Sequence, residues 1–299
     1  MRVDPSYVTN LVSALDGAQA REQQLSTELS SGVRFSTIGD DPIAAGKNVL
    51  LLDQIQRDDS FTQSSSLVTG QLQVADSALG GVVTQLTRAI SLATSAVNGT
   101  MSANDVQSIG AQIQGILNEV ESLANSSYHG QYIFAGGQTQ TIPFSTSTTS
   151  SPAVTSYNGD GDINYLQTPN GQKIQMNVPG DKIFLGATSV FGVLNSLVAD
   201  FSSGTVNTAQ ATTDTQALTA ALNYVSQQRV TIDNSITQLT AVSGAATTEK
   251  TQLTAAQTDL LQADLATVAT QVSLSKTQET ALESVIAQLG SGSLFDKLR

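Results

Sequence analysis

The residues able to do chemistry in this chain are few and far apart. Its only histidine, His129, stands beside Tyr128, and there is no cysteine. A zinc site draws its ligands from Cys, His and carboxylates, and a nucleophilic triad needs a histidine base oriented by a third group. One imidazole without thiols supplies neither from a single chain, so His129 reads as a packing or hydrogen-bonding residue. Asp160-Gly161-Asp162-Ile163-Asn164 places oxygen ligands at alternate positions, as the opening of a calcium loop does. The rest of that pattern fails, because Tyr165 stands where the loop needs Gly and Gly171 where it needs Glu. A tight turn between two strands accounts for the same residues, with minor calcium binding as the alternative. The pairs Asp40-Asp41 and Asp58-Asp59 suit helix starts and charged faces better than general acid–base work. The chain therefore reads as a non-enzyme, with no catalytic, metal-ligating or cofactor-binding residues.

The elements must then carry the function. A net charge of −12, with only 13 Lys and Arg in all and none between Arg88 and Lys173, leaves no basic stripe for phosphates. Nucleic acid and an anionic membrane surface are both disfavoured as partners. No apolar run approaches the roughly 18 residues that span a bilayer. Met1-Arg2-Val3-Asp4-Pro5 lacks the layout of a cleaved secretory signal. Trp is absent and aromatics are 5%, which suits long helices packed through Ala, Leu, Val and Ile rather than a globular enzyme core.

Two apolar stripes dominate the pattern. Val8, Leu11, Leu15, Ala18, Glu22, Leu25 and Leu29 follow at spacings of three and four. Leu261, Leu265, Val268, Val272, Ser275, Glu279, Leu282, Ile286 and Leu289 do the same near the other end. Each repeat lays a narrow seam along a helix, of the kind a coiled-coil partner grips. Glu22 interrupts the first seam. Either the helix rotates so that it reaches water, or it forms a polar layer that sets register. The first helix is expected from Pro5, capped by Asp4, to Ser31, with Gly32 as its stop.

Asp40-Asp41-Pro42 reads as the start of a second, long helix whose seam is Leu72, Ala75, Leu79, Val82, Leu86, Ala89, Ala93 and Ala96. A weaker stretch at 63–70 leaves room for a bend or an exchange of partners. Ser102 with Asp105 caps a third helix through Ala124. Tyr128 to Ala135 reads as one strand entering Gly136-Gly137. Regular turn signals then indicate a small β module whose tip, Ser145 to Ser151, is all Ser and Thr. Helices return over 190–201 and from about Val206, with Leu218, Leu222, Val225, Arg229, Ile232, Ile236 and Leu239 as a seam. It fades over 243–250, where a shift of register is expected. The fold class is mainly α with a small β module: a long antiparallel helical bundle or coiled coil from both termini, with a central inserted β-rich domain. The domains are terminal coiled-coil helices at 1–41 and 251–299, an inner bundle at 42–135 and 187–250, and an outer module at 136–186.

Leu29-Ser30-Ser31-Gly32-Val33-Arg34-Phe35, then Asp40-Asp41-Pro42 and Ala44-Ala45-Gly46, resembles the N-terminal pattern of the flagellin superfamily of bacterial axial proteins. Ala263-Asp264-Leu265-Ala266 resembles that family's C-terminal helix. Tyr128 through Gly137 with Pro143-Phe144 is similar to the branch of the family that joins hook to filament. So are the turns Tyr157 to Asp160 and Val178 to Asp181 with Ile183-Phe184, and the ending Ser293 to Leu298. The Ser/Thr tip resembles that branch only weakly.

The resemblance implies an extracellular structural adapter of the flagellum, exported unfolded by the flagellar type III route without a cleaved signal. Its implied partners are copies of itself, the other hook junction protein, flagellin, and an export chaperone on the C-terminal helix. It also implies terminal helices that are disordered in the free monomer. The assembly interface is expected at Val8, Leu11, Leu15, Ala18, Leu25, Leu29, Arg34, Leu261, Leu265, Val268, Val272, Leu282, Ile286 and Leu289. Arg34 either bridges acidic or carbonyl groups of a neighbour or is an ordinary surface residue. The alternatives are a filament flagellin and, from another class, a secreted helical adhesive or signalling protein.

Overall fold

The computed structural model describes residues 5–35, 37–97, 101–186 and 188–291. The expected cap at Asp4 and the ending Ser293 to Leu298 lie outside them. Among the described residues, seven helices and six short strands follow in chain order. Helix α1 is Pro5–Ser31, α2 is Pro42–Val97 and α3 is Ala103–Ala124. Strands β1 to β6 are Ser127–Tyr128, Gln131–Tyr132, Phe144–Ser147, Val154–Tyr157, Tyr165–Gln167 and Lys173–Gln175. The chain continues with α4 at Gly180–Phe184, α5 at Val190–Ser202, α6 at Thr208–Leu261 and α7 at Leu265–Ser291. It divides into two compact units, residues 1–56 with 250–299, and 57–249.

The unit of residues 57–249 holds the large core. Every residue of the α2 seam from Leu72 to Ala96 is buried. Val106, Ile109, Ile113, Ile116 and Val120 of α3 join it, with Leu218, Val225, Ile232 and Leu239 of α6. Small and aliphatic side chains at spacings of three and four allow the close helix packing that a chain without Trp requires. α3 begins with a capping box: the Ser102 hydroxyl accepts from Asp105 N–H, and the Asp105 carboxylate accepts from Ser102 N–H. Arg229, on the α6 seam, reaches Asp76 of α2 with two bonds of 2.7 and 3.0 Å.

The two stretches where the apolar pattern thins both stay helical. α2 shows no break at 63–70. Val68 is buried there, as is Phe61 just before it, and the Ser65 hydroxyl donates to the carbonyl of Leu239 at 3.4 Å, so a polar residue packs where the apolar pattern thins. α6 likewise runs unbroken through 243–250, keeping contact through the small Ala246. The chain is interrupted later, at 262–264.

The β structure is three separate two-stranded antiparallel ribbons, β1 with β2, β3 with β4 and β5 with β6. The single strand expected over 128–135 is instead the β1–β2 ribbon, turning at His129-Gly130. His129 has φ 49°, a left-handed conformation, and its ring meets that of Tyr128 edge-on at 4.3 Å. The few aromatics concentrate beside the ribbons: Phe134, Phe144, Tyr157, Phe184 and Phe191 form a contiguous cluster with centroids 5.0–5.7 Å apart. Asn125, at the end of α3, pairs with Phe144 as a strand would, donating to its carbonyl and accepting from its N–H at 2.9 Å each.

Asp160 is a turn residue. Its Oδ1 accepts the N–H of Gly137 at 2.6 Å and that of Asp162 at 3.1 Å. Gly136 has φ 68°, and a Cβ there would lie 2.2 Å from the same carboxylate, so only glycine fits. Among the described residues, no group of three or more His, Cys, Asp or Glu is placed to hold a metal ion.

Candidate assembly interface

The residues expected to carry assembly fall in the unit of 1–56 and 250–299, where two links meet. Gly32, at φ 70°, ends α1 with its N–H on the carbonyl of Glu28. That turn sends residues 32–34 alongside residues 261–263. Arg34 N–H donates to Leu261 O at 2.7 Å, Ala263 N–H donates to Gly32 O at 2.9 Å, and Val33 and Gln262 form an antiparallel bridge. The bridge diverts backbone groups that would otherwise continue one helix from α6 into α7.

Two aspartates restart the helices on either side. Asp41 accepts Ala44 N–H at 3.0 Å and pairs with Arg34. The Ala44 N–H, followed by Arg34, holds its carboxyl below the usual carboxylate range. Asp264 accepts the hydroxyl of Thr267 at 2.7 Å and the N–H groups of Thr267 and Ala266, and these hold its carboxyl down as well. The resemblance motifs at Asp40-Asp41-Pro42 and Ala263 to Ala266 are therefore two helix caps around one junction.

α1 and α7 pack antiparallel beyond that junction. Leu25 packs with Ala263, Val268 and Val272, and Leu11, Leu15, Ala18, Leu282 and Ile286 are half-buried along the same contact. Val8 and Leu289 lie within α1 and α7, but their side chains are outside those described. Leu29 and Leu265 are off the seam, at 39% and 48% exposure, and Glu28 takes the half-buried position instead. Leu261 ends α6 and packs with Phe35, Ala44 and Ala45. The stripe from Leu261 to Leu265 thus does not continue as one seam, because the break at 262–264 resets the helical phase.

Glu22 stays at the seam, half-buried. It meets Glu279, and the two carboxyls hydrogen-bond across the helices. That bond, then burial, then the Glu279 charge raise Glu22 above the usual range, against the opposing charge of Lys276. Glu279 is lowered because it accepts from Glu22 and from Gln19, whose Nε2 is 2.9 Å away. Ser275, buried beside this layer, donates to the carbonyl of Ala18 at 3.4 Å.

Reading the sequence missed an apolar face at the start of α2. Ile43, Val49 and Leu50 are 75%, 62% and 68% exposed, and Ile38 in the preceding link is equally open. Ile38 and Val49 line a groove of about 320 Å³ together with Phe35, Ala45 and Leu261. The signal was the run Val49-Leu50-Leu51-Leu52, apolar around the whole helix where one buried face needs only a stripe. A second groove, about 570 Å³, lies along Ala14, Gly17 and Ala18 of α1 and Ala281, Leu282 and Val285 of α7.

Residues 7–139 match the bacterial flagellin N-terminal helical region. The flagellar hook-associated protein 3 of Escherichia coli (strain K12) is 27% identical over 294 residues, covering 90% of each chain. The protein of the same name from Salmonella typhimurium is 30% identical over 184 residues, covering 61% of this chain and 56% of that one. The crystal structure of hook-associated protein 3 from Legionella pneumophila superposes with a TM-score of 0.63 at 14% identity, covering 71% of this chain and 98% of that one, which marks a shared fold. With the caps at Asp41 and Asp264 and the paired α1 and α7, the chain is similar to the bacterial flagellin N-terminal helical region over residues 7–139 and to hook-associated protein 3 over most of its length.

Proposed function

We propose that this chain is a structural axial protein of the bacterial flagellum, an adapter that joins the hook to the flagellin filament and acts by self-assembly through its terminal helices. The observation that carries this reading is the similarity to hook-associated protein 3 across 90% of both chains. The solvent-facing aliphatic residues fit it too. Leu29, Leu265, Ile43, Val49 and Leu50 are large apolar groups left open on one unit, as expected of surfaces that neighbouring subunits cover. Its partners in this reading are copies of itself, the other hook junction protein and flagellin, and an export chaperone holds the α7 region before assembly. Export proceeds without a cleaved signal, and residues 136–186 face outward from the axial structure.

Arg34 has a role within the chain, fixing Asp41 at the start of α2, and the half-exposed guanidinium still offers donors to a neighbour. Complementation tests the reading. A strain lacking its junction protein should regain attached filaments when it expresses this chain, while a strain lacking flagellin should not. Rescue of the flagellin-less strain would favour the rival reading of a filament subunit. In the first strain, Arg34→Ala should leave the chain folded and secreted but reduce attached filaments. Normal filament number with that variant would remove Arg34 from the interface.

A further inference from the structure

Helix α2 carries a glycine where its own backbone does not call for one. Gly70 lies in the interior of this 56-residue helix, and glycine there is less stable than alanine because it has the most backbone freedom to lose. The side chain of Tyr128 supplies the reason. A Cβ added at Gly70 would lie 3.0 Å from Cζ of Tyr128 and closer still to its hydroxyl, so the tip of the ring rests on the helix backbone. Gly115 on α3 is the contrast, since a Cβ there would meet nothing within 4 Å. We propose that Tyr128 seated on Gly70 is a clasp that holds the β1–β2 ribbon to α2, and so fixes where the chain leaves the helices for residues 136–186. The clasp lies wholly within residues 57–249 and acts in the free chain, whatever that chain joins.

The ring is packed at its tip and open along its sides. Half-buried against the main core, it stands between two grooves of about 510 and 520 Å³, each lined by Gly70, Gln73 and Tyr128. The first groove reaches Thr240 and Ser243 of α6, and the second reaches Leu123 and Ser126 around the end of α3. A side chain at position 70 would therefore push the ring into open space rather than against a wall.

The ribbon needs such an anchor. It has two paired positions, Ser127 with Tyr132 and Tyr128 with Gln131, and a hairpin that short is not stable by itself. Its turn is also locally disfavoured, because His129 takes φ 49°, a conformation in which glycine is usual. Beyond the turn, Tyr132 N–H donates to Thr139 O at 2.8 Å and Ile133 N–H to Ser126 O at 3.1 Å. Ile133 and Phe134 then enter the core. Seating Tyr128 on α2 holds the near side of the ribbon while Ile133 and Phe134 hold the far side.

A reversal of sign in the full chain tests this. In an ordinary helix interior Gly→Ala is stabilising, so Gly115→Ala should raise Tm by roughly 2 °C. Gly70→Ala should give no rise, and protection of the Tyr132 and Ile133 amides from hydrogen exchange should fall about tenfold while α3 keeps its protection. Tyr128→Ala should cause the same loss with α2 unaltered. In the Tyr128→Ala background the added methyl meets no ring, so Gly70→Ala should there raise Tm as Gly115→Ala does and remove no further protection. Helical content from circular dichroism shows that each variant is folded. A raised Tm with undiminished protection in Gly70→Ala overturns the clasp, as does undiminished protection in Tyr128→Ala. So does a loss of protection from Gly70→Ala that is equal with and without the ring.

Discussion

Asp58 is the residue least at ease in this molecule. It is 1% exposed, and among the described residues its Oδ2 has no hydrogen-bond partner. Burial pushes its carboxyl up, with the charges of Glu249 on α6 and of Asp59 adding to the effect and Arg57 opposing it. The pair Asp58-Asp59 read as a solvated face in the sequence, and Asp58 departs from that because its position on α2 turns toward α6. A raised carboxyl gives stability that is lost as pH rises through its folded value, so at neutral pH the buried charge works against the fold. Asp58→Asn removes that charge while keeping the shape. It should stabilise residues 57–249 by about 1 kcal/mol at neutral pH, a rise of roughly 2–4 °C in Tm. The gain should shrink toward about pH 4, where the parent aspartate is increasingly protonated. A gain of equal size at both pH values would mean that charge is not the cause.

At the scale of elements, the α1–α7 pair rests on very little. Leu25, Ala263 and Val268 form its buried cluster, so truncation there should cost near the low end for a core leucine. Leu25→Ala is expected to weaken the pair by about 2 kcal/mol, and Val268→Ala by less. A double-mutant cycle of the two, read from exchange of α1 amides, should show coupling of about 0.5–1 kcal/mol. Leu29→Ala with Leu265→Ala should show none in the free chain, and equal coupling in the two cycles would contradict this register. The long seams were legible in the sequence because one stripe buries one face, as the run from Leu72 to Ala96 does on α2. The break at 262–264 was not, since Gln262-Ala263-Asp264 holds neither Gly nor Pro. It is made by backbone pairing with Gly32 and Val33, more than two hundred positions away. The Glu22–Glu279 layer was half legible: both residues stood out in their stripes, but their meeting depends on the register between helices. The β1–β2 ribbon was hidden because a non-glycine residue, His129, occupies the left-handed position of its turn.

For the whole molecule, the cores predict how it comes apart. The buried clusters of residues 1–56 and 250–299 are Leu25 with Ala263 and Val268, and Phe35 with Ala44 and Ala45. Those of residues 57–249 form one continuous core that includes the aromatic cluster around Phe144 and Phe184. The two sets share no buried residue. Isolated helices of this length are marginal in water, so α1 and α7 depend on that thin cluster and on the polar layer. Denaturant should therefore remove protection from α1 and α7 first, at a concentration where α3 and α5 remain protected. Because α2 and α6 run unbroken past residues 56 and 249, the loss should fray gradually along those helices rather than stop at a sharp boundary. Phe144→Ala, expected to cost about 3–5 kcal/mol, should move the later transition and leave the earlier one in place. Leu25→Ala should do the reverse. If both substitutions shift a single coincident transition, the two cores are energetically one, and terminal helices that come apart while the rest stays folded would have to be abandoned.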